Sequence, residues 1–73
     1  MTIHLNGDAF ELVGPTTVAD ILANLQIDQR RVAVELNLVV LKRAAFGTTV
    51  VQAGDSMEIV NFVGGGARGA ARR

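Results

Sequence analysis

Residues 59–66 read Ile59-Val60-Asn61-Phe62-Val63-Gly64-Gly65-Gly66, an apolar and partly β-branched stretch that runs directly into three glycines. Such residues favour a strand, and a glycine run usually marks a turn back into the fold. Only Ala67 to Arg73 follow, with three arginines and no large apolar side chain. We therefore predict a folded body over residues 1–63 and a flexible, glycine-rich and arginine-containing tail over residues 64–73.

The composition indicates one small domain that depends on apolar packing. The chain has 73 residues, of which 49% are hydrophobic, with no cysteine and a single histidine, His4. A disulfide framework and a cysteine- or histidine-based metal site are therefore not expected. The N-terminus lacks the pattern of a signal peptide, and no apolar run approaches the ~20 residues of a membrane helix. We expect a soluble, cytoplasmic protein that does not engage a membrane.

The net charge of zero conceals an uneven distribution along the chain. Residues 1–66 carry four basic and seven acidic side chains, a balance of −3, and the three arginines of the tail restore neutrality. An acidic body favours basic partner surfaces. The tail arginines have no neighbouring aromatic residues, so they are a weak signal for nucleic acid, and we expect no nucleic-acid partner.

The first third of the chain predicts a β-hairpin followed by a helix. Residues 2–5 alternate polar and apolar side chains as a half-buried strand does, Asn6-Gly7 is typical of a type I′ turn, and residues 10–13 would form the return strand. Thr17 is a suitable N-cap for a helix, and the positions at helical spacing behind it form one apolar stripe, Val18, Ile21, Leu22 and Leu25.

The remaining segments predict strands over 32–36 and 38–41 joined by a bend at Asn37, a brief extended piece at 48–51, and a last strand over 57–62. One helix would cover a mixed sheet of four or five strands, with the first and last strands parallel and adjacent at its centre. This is an α+β fold of the β-grasp, ubiquitin-like type. If Met57 faces the helix, Val60 and Phe62 face away as a docking patch; alternatively, a bulge or twist turns one of them inward.

Catalytic constellations are absent from the sequence, and we predict that the protein is not an enzyme. A Cys–His pair is excluded, and nothing supports a triad built on Ser56 and His4. The spacing Gly64-x-Gly66-x-x-Gly69 matches a dinucleotide fingerprint formally, but that motif must open a helix, and only four residues follow it.

The glycine run favours a role as a carried substrate. Successive glycines lack Cβ atoms, so they can enter a channel one backbone wide and present a carbonyl to another protein's catalytic groups. A carboxylate at such a tip, activated as an acyl-adenylate, is open to nucleophilic attack. An unstructured terminus without this role is the alternative that the pattern leaves open.

Several segments together resemble the ThiS family, the sulfur carriers of thiazole synthesis. The resemblance covers residues 2–66 in register and rests on Leu5-Asn6-Gly7, Thr17-Val18-x-x-Ile21-Leu22, residues 32–37, residues 52–60 and Val63-Gly64-Gly65-Gly66. The small subunit of molybdopterin synthase (MoaD) is similar but usually longer. The short loop between helix and strand favours the thiamine carrier.

The resemblance implies a function at the glycine tip. An E1-like enzyme (ThiF-like) would adenylate the Gly66 carboxylate with ATP, the product would become a thiocarboxylate, and the sulfur would pass to thiazole synthase (ThiG-like). Gly65 would be the second glycine of the pair, and Val60, Phe62, Val63 and Gly64 would lie near the partner surfaces. No cofactor would be bound by the carrier itself, which we expect to be monomeric when alone.

The chain departs from the family pattern after Gly66, because seven residues follow where family members generally end. The hypothesis is that a peptidase removes residues 67–73. The alternatives are a MoaD-like carrier with a different sulfur recipient, and a non-carrying β-grasp binding module whose basic tail contacts nucleic acid or an acidic partner.

Overall fold

The computed structural model describes residues 1–62. Its strands are β1 (Thr2–Leu5), β2 (Asp8–Glu11), β3 (Thr16–Thr17), β4 (Val32–Leu36), β5 (Val39–Leu41), β6 (Val50–Val51) and β7 (Ser56–Asn61), with one α-helix, α1 (Val18–Asn24). Two short 3-10 turns span Gln29–Arg31 and Arg43–Ala45. In these residues no helix is long and apolar enough to cross a membrane.

The sheet topology confirms the β-grasp prediction. Five strands pair in the order β2-β1-β7-β4-β5, and β3 pairs with β6 in a separate two-stranded ribbon. Strands β1 and β7 are parallel and adjacent near the centre, whereas β1–β2, β4–β7 and β4–β5 are antiparallel. The whole chain between β1 and β7 connects them and carries the helix, as a parallel pair requires a long connection.

Both predicted turns form, and each uses an asparagine at positive φ. Asn6 and Gly7 have φ of 50° and 88°, and Asn37 and Leu38 have φ of 52° and 70°. Two-residue turns of this kind match the twist of the strands they join. Because the first turn is so tight, pairing resumes at Asp8, so the predicted return strand at 10–13 was placed two residues too late.

The helix begins and packs as its sequence pattern predicts. Thr17 Oγ1 accepts a hydrogen bond from the Asp20 N–H at 3.1 Å, which satisfies one of the free donors of the first turn. Val18, Ile21 and Leu22 are buried. The helix ends at Asn24, and Leu25 is its C-cap, half-buried against the core.

The core lies between the helix and one face of the five-stranded sheet. Strands alternate their side chains between two faces, so this face collects residues at alternate positions of β1, β4 and β7. Phe46, which follows the second 3-10 turn, is also buried in the core. The buried residues are Ile3, Val18, Ile21, Leu22, Val32, Val34, Phe46, Val51 and Met57. The opposite sheet face has no helix or strand of residues 1–62 packed over it.

Candidate functional site

Strand β7, which leads toward the glycine run, is held firmly on one side. It pairs with β4 from Met57 to Asn61, and beyond the strand the Phe62 N–H donates to the Arg31 carbonyl at 2.8 Å. Strand β1 pairs with β7 only at Ser56 and Met57. The position of the second half of β7 is therefore fixed by its pairing with β4 and by Asn6, which follows the end of β1.

Two turn asparagines attach β7 to its surroundings through their side chains. Asn6 Oδ1 accepts the Ile59 N–H at 2.7 Å, and Asn6 Nδ2 donates to the Ile59 carbonyl at 3.3 Å, so this side chain continues the β1 edge after the backbone has turned away. Asn37 Oδ1 accepts the Ser56 N–H at 3.0 Å, and its Nδ2 donates to Asp55 at 3.2 Å. These bonds fix the start and the middle of β7.

Val60 and Phe62 are both exposed, so neither is turned inward by a bulge or a twist. Their exposed fractions are 57% and 62%, whereas Met57 is fully buried. The structure thus places two large apolar side chains on the uncovered sheet face, next to the start of the glycine run. Their role in binding a partner stays a prediction.

The uncovered face also carries two carboxylates in register. Glu35 of β4 lies directly opposite Glu58 of β7, and Ala33 lies opposite Val60 in the next paired position on the same face. On the other side of Glu35 lies Val40 of β5, which is 67% exposed. We call Ala33, Glu35, Val40, Glu58, Val60 and Phe62 the open-face surface.

A second charged group lies in the turn before β4. Asp28 caps this turn by accepting the Arg30 N–H, and its carboxylate forms ion pairs with Arg30 at 3.0 Å and Arg31 at 3.7 Å. The side-chain and backbone hydrogen bonds from Arg30 lower the pKa of Asp28 to about 2. These arginines are therefore engaged at the exposed turn whose backbone also holds Phe62.

No metal-ligand cluster is present in the part of the chain that the structure describes. Among residues 1–62, no three acidic or histidine side chains converge as metal ligands. His4 is exposed, and it faces Ser56 and Ala9 in the neighbouring strands.

The remaining predicted site residues, Val63, Gly64, Gly65 and Gly66, lie outside the described residues, as do residues 67–73. Sequence reasoning identified Asn6 and Asn37 as turn residues but missed their side-chain bonds to β7. It also missed the Glu35–Glu58 pair. The alternation of each strand puts both glutamates on the outer face, but only the β4–β7 register sets them side by side.

Comparison with known proteins confirms the family resemblance. A family model described as the ThiS family matches residues 3–66. A solved structure of the thiamine biosynthesis protein ThiS from Geobacter metallireducens superposes with a TM-score of 0.79 at 39% identity and covers 90% of this chain and 100% of that one.

Similar sequences occur both alone and within a larger protein. The chain is 41% identical over 66 residues to a thiazole synthase of Magnetococcus marinus and 35% identical to the uncharacterized protein ycf40 of Pyropia yezoensis. These matches cover 90% of this chain, but 20% of the synthase and 93% of ycf40. The chain thus spans about a fifth of the length of that synthase. From the family model and these relatives, we conclude that the chain belongs to the ThiS family.

Proposed function

We propose that this protein is a sulfur carrier of thiamine biosynthesis, whose Gly66 carboxylate becomes a thiocarboxylate and donates sulfur to thiazole synthesis. The observation that supports this most directly is the position of β7. A central, well-anchored strand ends in exposed apolar residues immediately before Gly64-Gly65-Gly66, and the ThiS family match extends to residue 66. The protein would act in the cytoplasm as a substrate rather than as an enzyme.

The chemistry at the tip would take place on partner enzymes. A Gly66 carboxylate oxygen attacks the α-phosphorus of ATP on a ThiF-like enzyme, pyrophosphate leaves, and an acyl-adenylate forms. A persulfide sulfur then attacks the acyl carbon and AMP leaves. The product is an acyl disulfide that keeps the S–S bond of the persulfide. A thiol then attacks the donor's sulfur in that bond, so that a disulfide forms and the thiocarboxylate leaves. The carrier binds no cofactor of its own in this scheme, because ATP belongs to the activating enzyme.

Glycine suits the positions before the reacting carbonyl. Without a Cβ, each residue of the run has the smallest possible cross-section and a wide choice of backbone angles. A channel that admits only a bare backbone would exclude C-termini with larger side chains by steric clash, and this exclusion would make the partner specific for a glycine terminus. Because β7 is anchored, the point from which the glycine run departs is fixed relative to the surface that the partner would bind.

The proposed acceptor is a ThiG-like thiazole synthase. The synthases of Magnetococcus marinus and Paramagnetospirillum magneticum carry a segment similar to this chain at 41% and 38% identity. A carrier segment within the same chain as a synthase supports a direct transfer between the two. Val60, Phe62, Val63 and Gly64 would contact the partner enzymes, since they precede the reacting residue.

A free Gly66 carboxylate requires that residues 67–73 be removed, and we propose that a peptidase cleaves after Gly66. Incubation of the full chain with cell extract should yield a species ending at Gly66 by intact-mass spectrometry. The control is a chain that ends at Gly66, which an active extract should convert to the adenylate or the thiocarboxylate. If the extract does this and the full chain still remains uncleaved, trimming is ruled out.

The carrier function itself is tested with a chain ending at Gly66, incubated with a ThiF-like enzyme, ATP and a persulfide donor. We expect a mass gain equal to the exchange of one oxygen for one sulfur. The uncleaved chain is the matched control and should not change. Absence of both the adenylate and the thiocarboxylate would refute the proposal. Transfer of sulfur to a molybdopterin precursor instead of a thiazole precursor would favour the MoaD-like alternative.

A further inference from the structure

Arg31 is the residue at which the turn before β4 meets the end of β7. Its N–H belongs to the turn and donates to the Asp28 carbonyl at 2.9 Å, whereas its carbonyl accepts the Phe62 N–H at 2.8 Å. Both bonds join backbone atoms, so the side chain of Arg31 takes no part in holding Phe62. The position of the Arg31 carbonyl therefore depends on the folding of the turn itself.

The bond to Phe62 is the last anchor of β7 in the part of the chain that the structure describes, and it holds the end of the open-face surface. The pairing of Val32 with Asn61 puts Arg31 opposite Phe62 in the same register. Hydrogen-bonded pairs alternate along an antiparallel ladder, so the preceding position of this kind on β7 is Val60. Loss of the Phe62 bond would free two further residues and lengthen the unanchored backbone by up to about 7 Å.

Asp28 stabilises the turn that supplies this carbonyl. Its Oδ1 accepts the Arg30 N–H at 2.9 Å as an N-cap bond, and its carboxylate also accepts the Arg30 guanidinium at 3.1 Å and 3.0 Å. The Arg30 side chain is 77% exposed, and an ion pair at such exposure contributes little because water screens it. The cap is the larger contribution, since losing an N-cap typically shifts a folding equilibrium roughly fivefold.

We propose that Asp28 is a positioning residue for the carrier reaction, because the turn that it caps fixes the point at which the chain leaves the sheet toward Gly66. This rests on the proposed carrier function. Asp28 touches no reacting atom and acts through the Arg31 carbonyl. Four residues lead from Phe62 to Gly66, whereas six would lead there from Val60. An enzyme that binds the longer free segment must order two more residues, and each ordered backbone opposes binding.

The test compares variants of Asp28 in a chain that ends at Gly66. Asp28→Ala removes the cap and should raise the KM for pyrophosphate release by a ThiF-like enzyme roughly three- to tenfold with kcat unchanged, because the apparent affinity falls with the fraction of chains whose anchor is formed. Asp28→Asn keeps an acceptor for the Arg30 N–H and loses only the ion pairs, so its KM should match that of the unaltered chain. Asp28→Gly, which is a milder loss of the cap, should lie between the two.

Thr17→Ala is the matched control. It removes the N-cap bond of α1, which is of the same kind and lies on another element. It should lower the melting temperature as Asp28→Ala does and leave KM unchanged.

Amide hydrogen exchange separates positioning from a general loss of stability. In Asp28→Ala the Phe62 N–H should exchange several times faster than the change in global stability explains. The Ile59 N–H, which Asn6 accepts, should follow global stability alone. In Thr17→Ala both amides should follow global stability.

Each outcome of this test decides the inference. An unchanged KM in Asp28→Ala and Asp28→Gly, with normal adenylation of the unaltered chain, overturns it and leaves the carrier function standing. An equal rise of KM in Thr17→Ala would show a general effect of stability and overturn it as well. An equal rise in Asp28→Asn would assign the effect to the charge and refute the role of the cap. If the unaltered chain is not adenylated, the carrier proposal fails first and this inference falls with it.

Discussion

Replacing Asn6 tests whether one side chain holds the second half of β7. Its two hydrogen bonds join residues 53 positions apart, at 2.7 Å and 3.3 Å. Before any correction for solvent, the shorter bond contributes about 1 kcal/mol and the longer about half as much. Water can replace part of both bonds in the variant, which lowers the combined loss to about 1 kcal/mol. Asn6→Gly should therefore cost about 1 kcal/mol. Glycine accepts the φ of 50° without strain, which roughly offsets its greater freedom in the unfolded chain.

Asn6→Ala separates the hydrogen bonds from the backbone conformation. Alanine loses the same bonds and also pays about 1 kcal/mol or more for a left-handed conformation, so its total should be about 2 kcal/mol. For a domain of this size, each 1 kcal/mol lowers the melting temperature by about 4–8 °C. Thermal and urea unfolding followed by circular dichroism would measure the ranking of the unaltered protein, Asn6→Gly and Asn6→Ala.

Amide hydrogen exchange provides the local measurement. The Ile59 N–H should exchange faster in both variants, by more than the change in global stability explains, because its acceptor is gone. The reasoning is refuted if Asn6→Gly is as stable as the unaltered protein, if it is less stable than Asn6→Ala, or if the Ile59 amide remains equally protected.

Leu38 and Asp28 offer two further tests. Leu38 is 88% exposed and has a φ of 70°, a backbone conformation that a residue with a Cβ adopts only with strain. Leu38→Gly should therefore raise the free energy of unfolding in urea by about 0.5–1 kcal/mol, whereas Leu38→Ala, which keeps the Cβ, should not. Equal gains in the two variants would exclude backbone strain as the cause. The pKa of Asp28 lies at about 2, below its ordinary 3.8, so the ionised form is favoured by folding. This stabilisation is present above pH 3.8 and lost as the pH falls toward 2. Carboxyl NMR should show the low midpoint, and Arg30→Gln should raise it; an unchanged midpoint would contradict the assigned cause.

The sequence alone determined the elements whose signals are local. Each of these elements depends on neighbours within a few residues, so its pattern can be recognised from the sequence alone. They are the Asn6-Gly7 turn, the Thr17 cap and the apolar stripe of the helix. The order of these elements also led to the β-grasp prediction, because the rules for connections leave few arrangements in which a single helix covers one face of the sheet.

Only the tertiary structure decided which distant residues meet. The β4–β7 register brings Glu35 against Glu58, and the end of β1 brings the Asn6 side chain to Ile59. A shift of one residue would send each side chain to the other face of the sheet, and sequence alternation alone does not distinguish between registers two residues apart. Exposure of Val60 and Phe62 likewise required knowing that nothing in residues 1–62 covers that face. The physical reason is that contacts between strands depend on alignment in space, which local preferences do not encode.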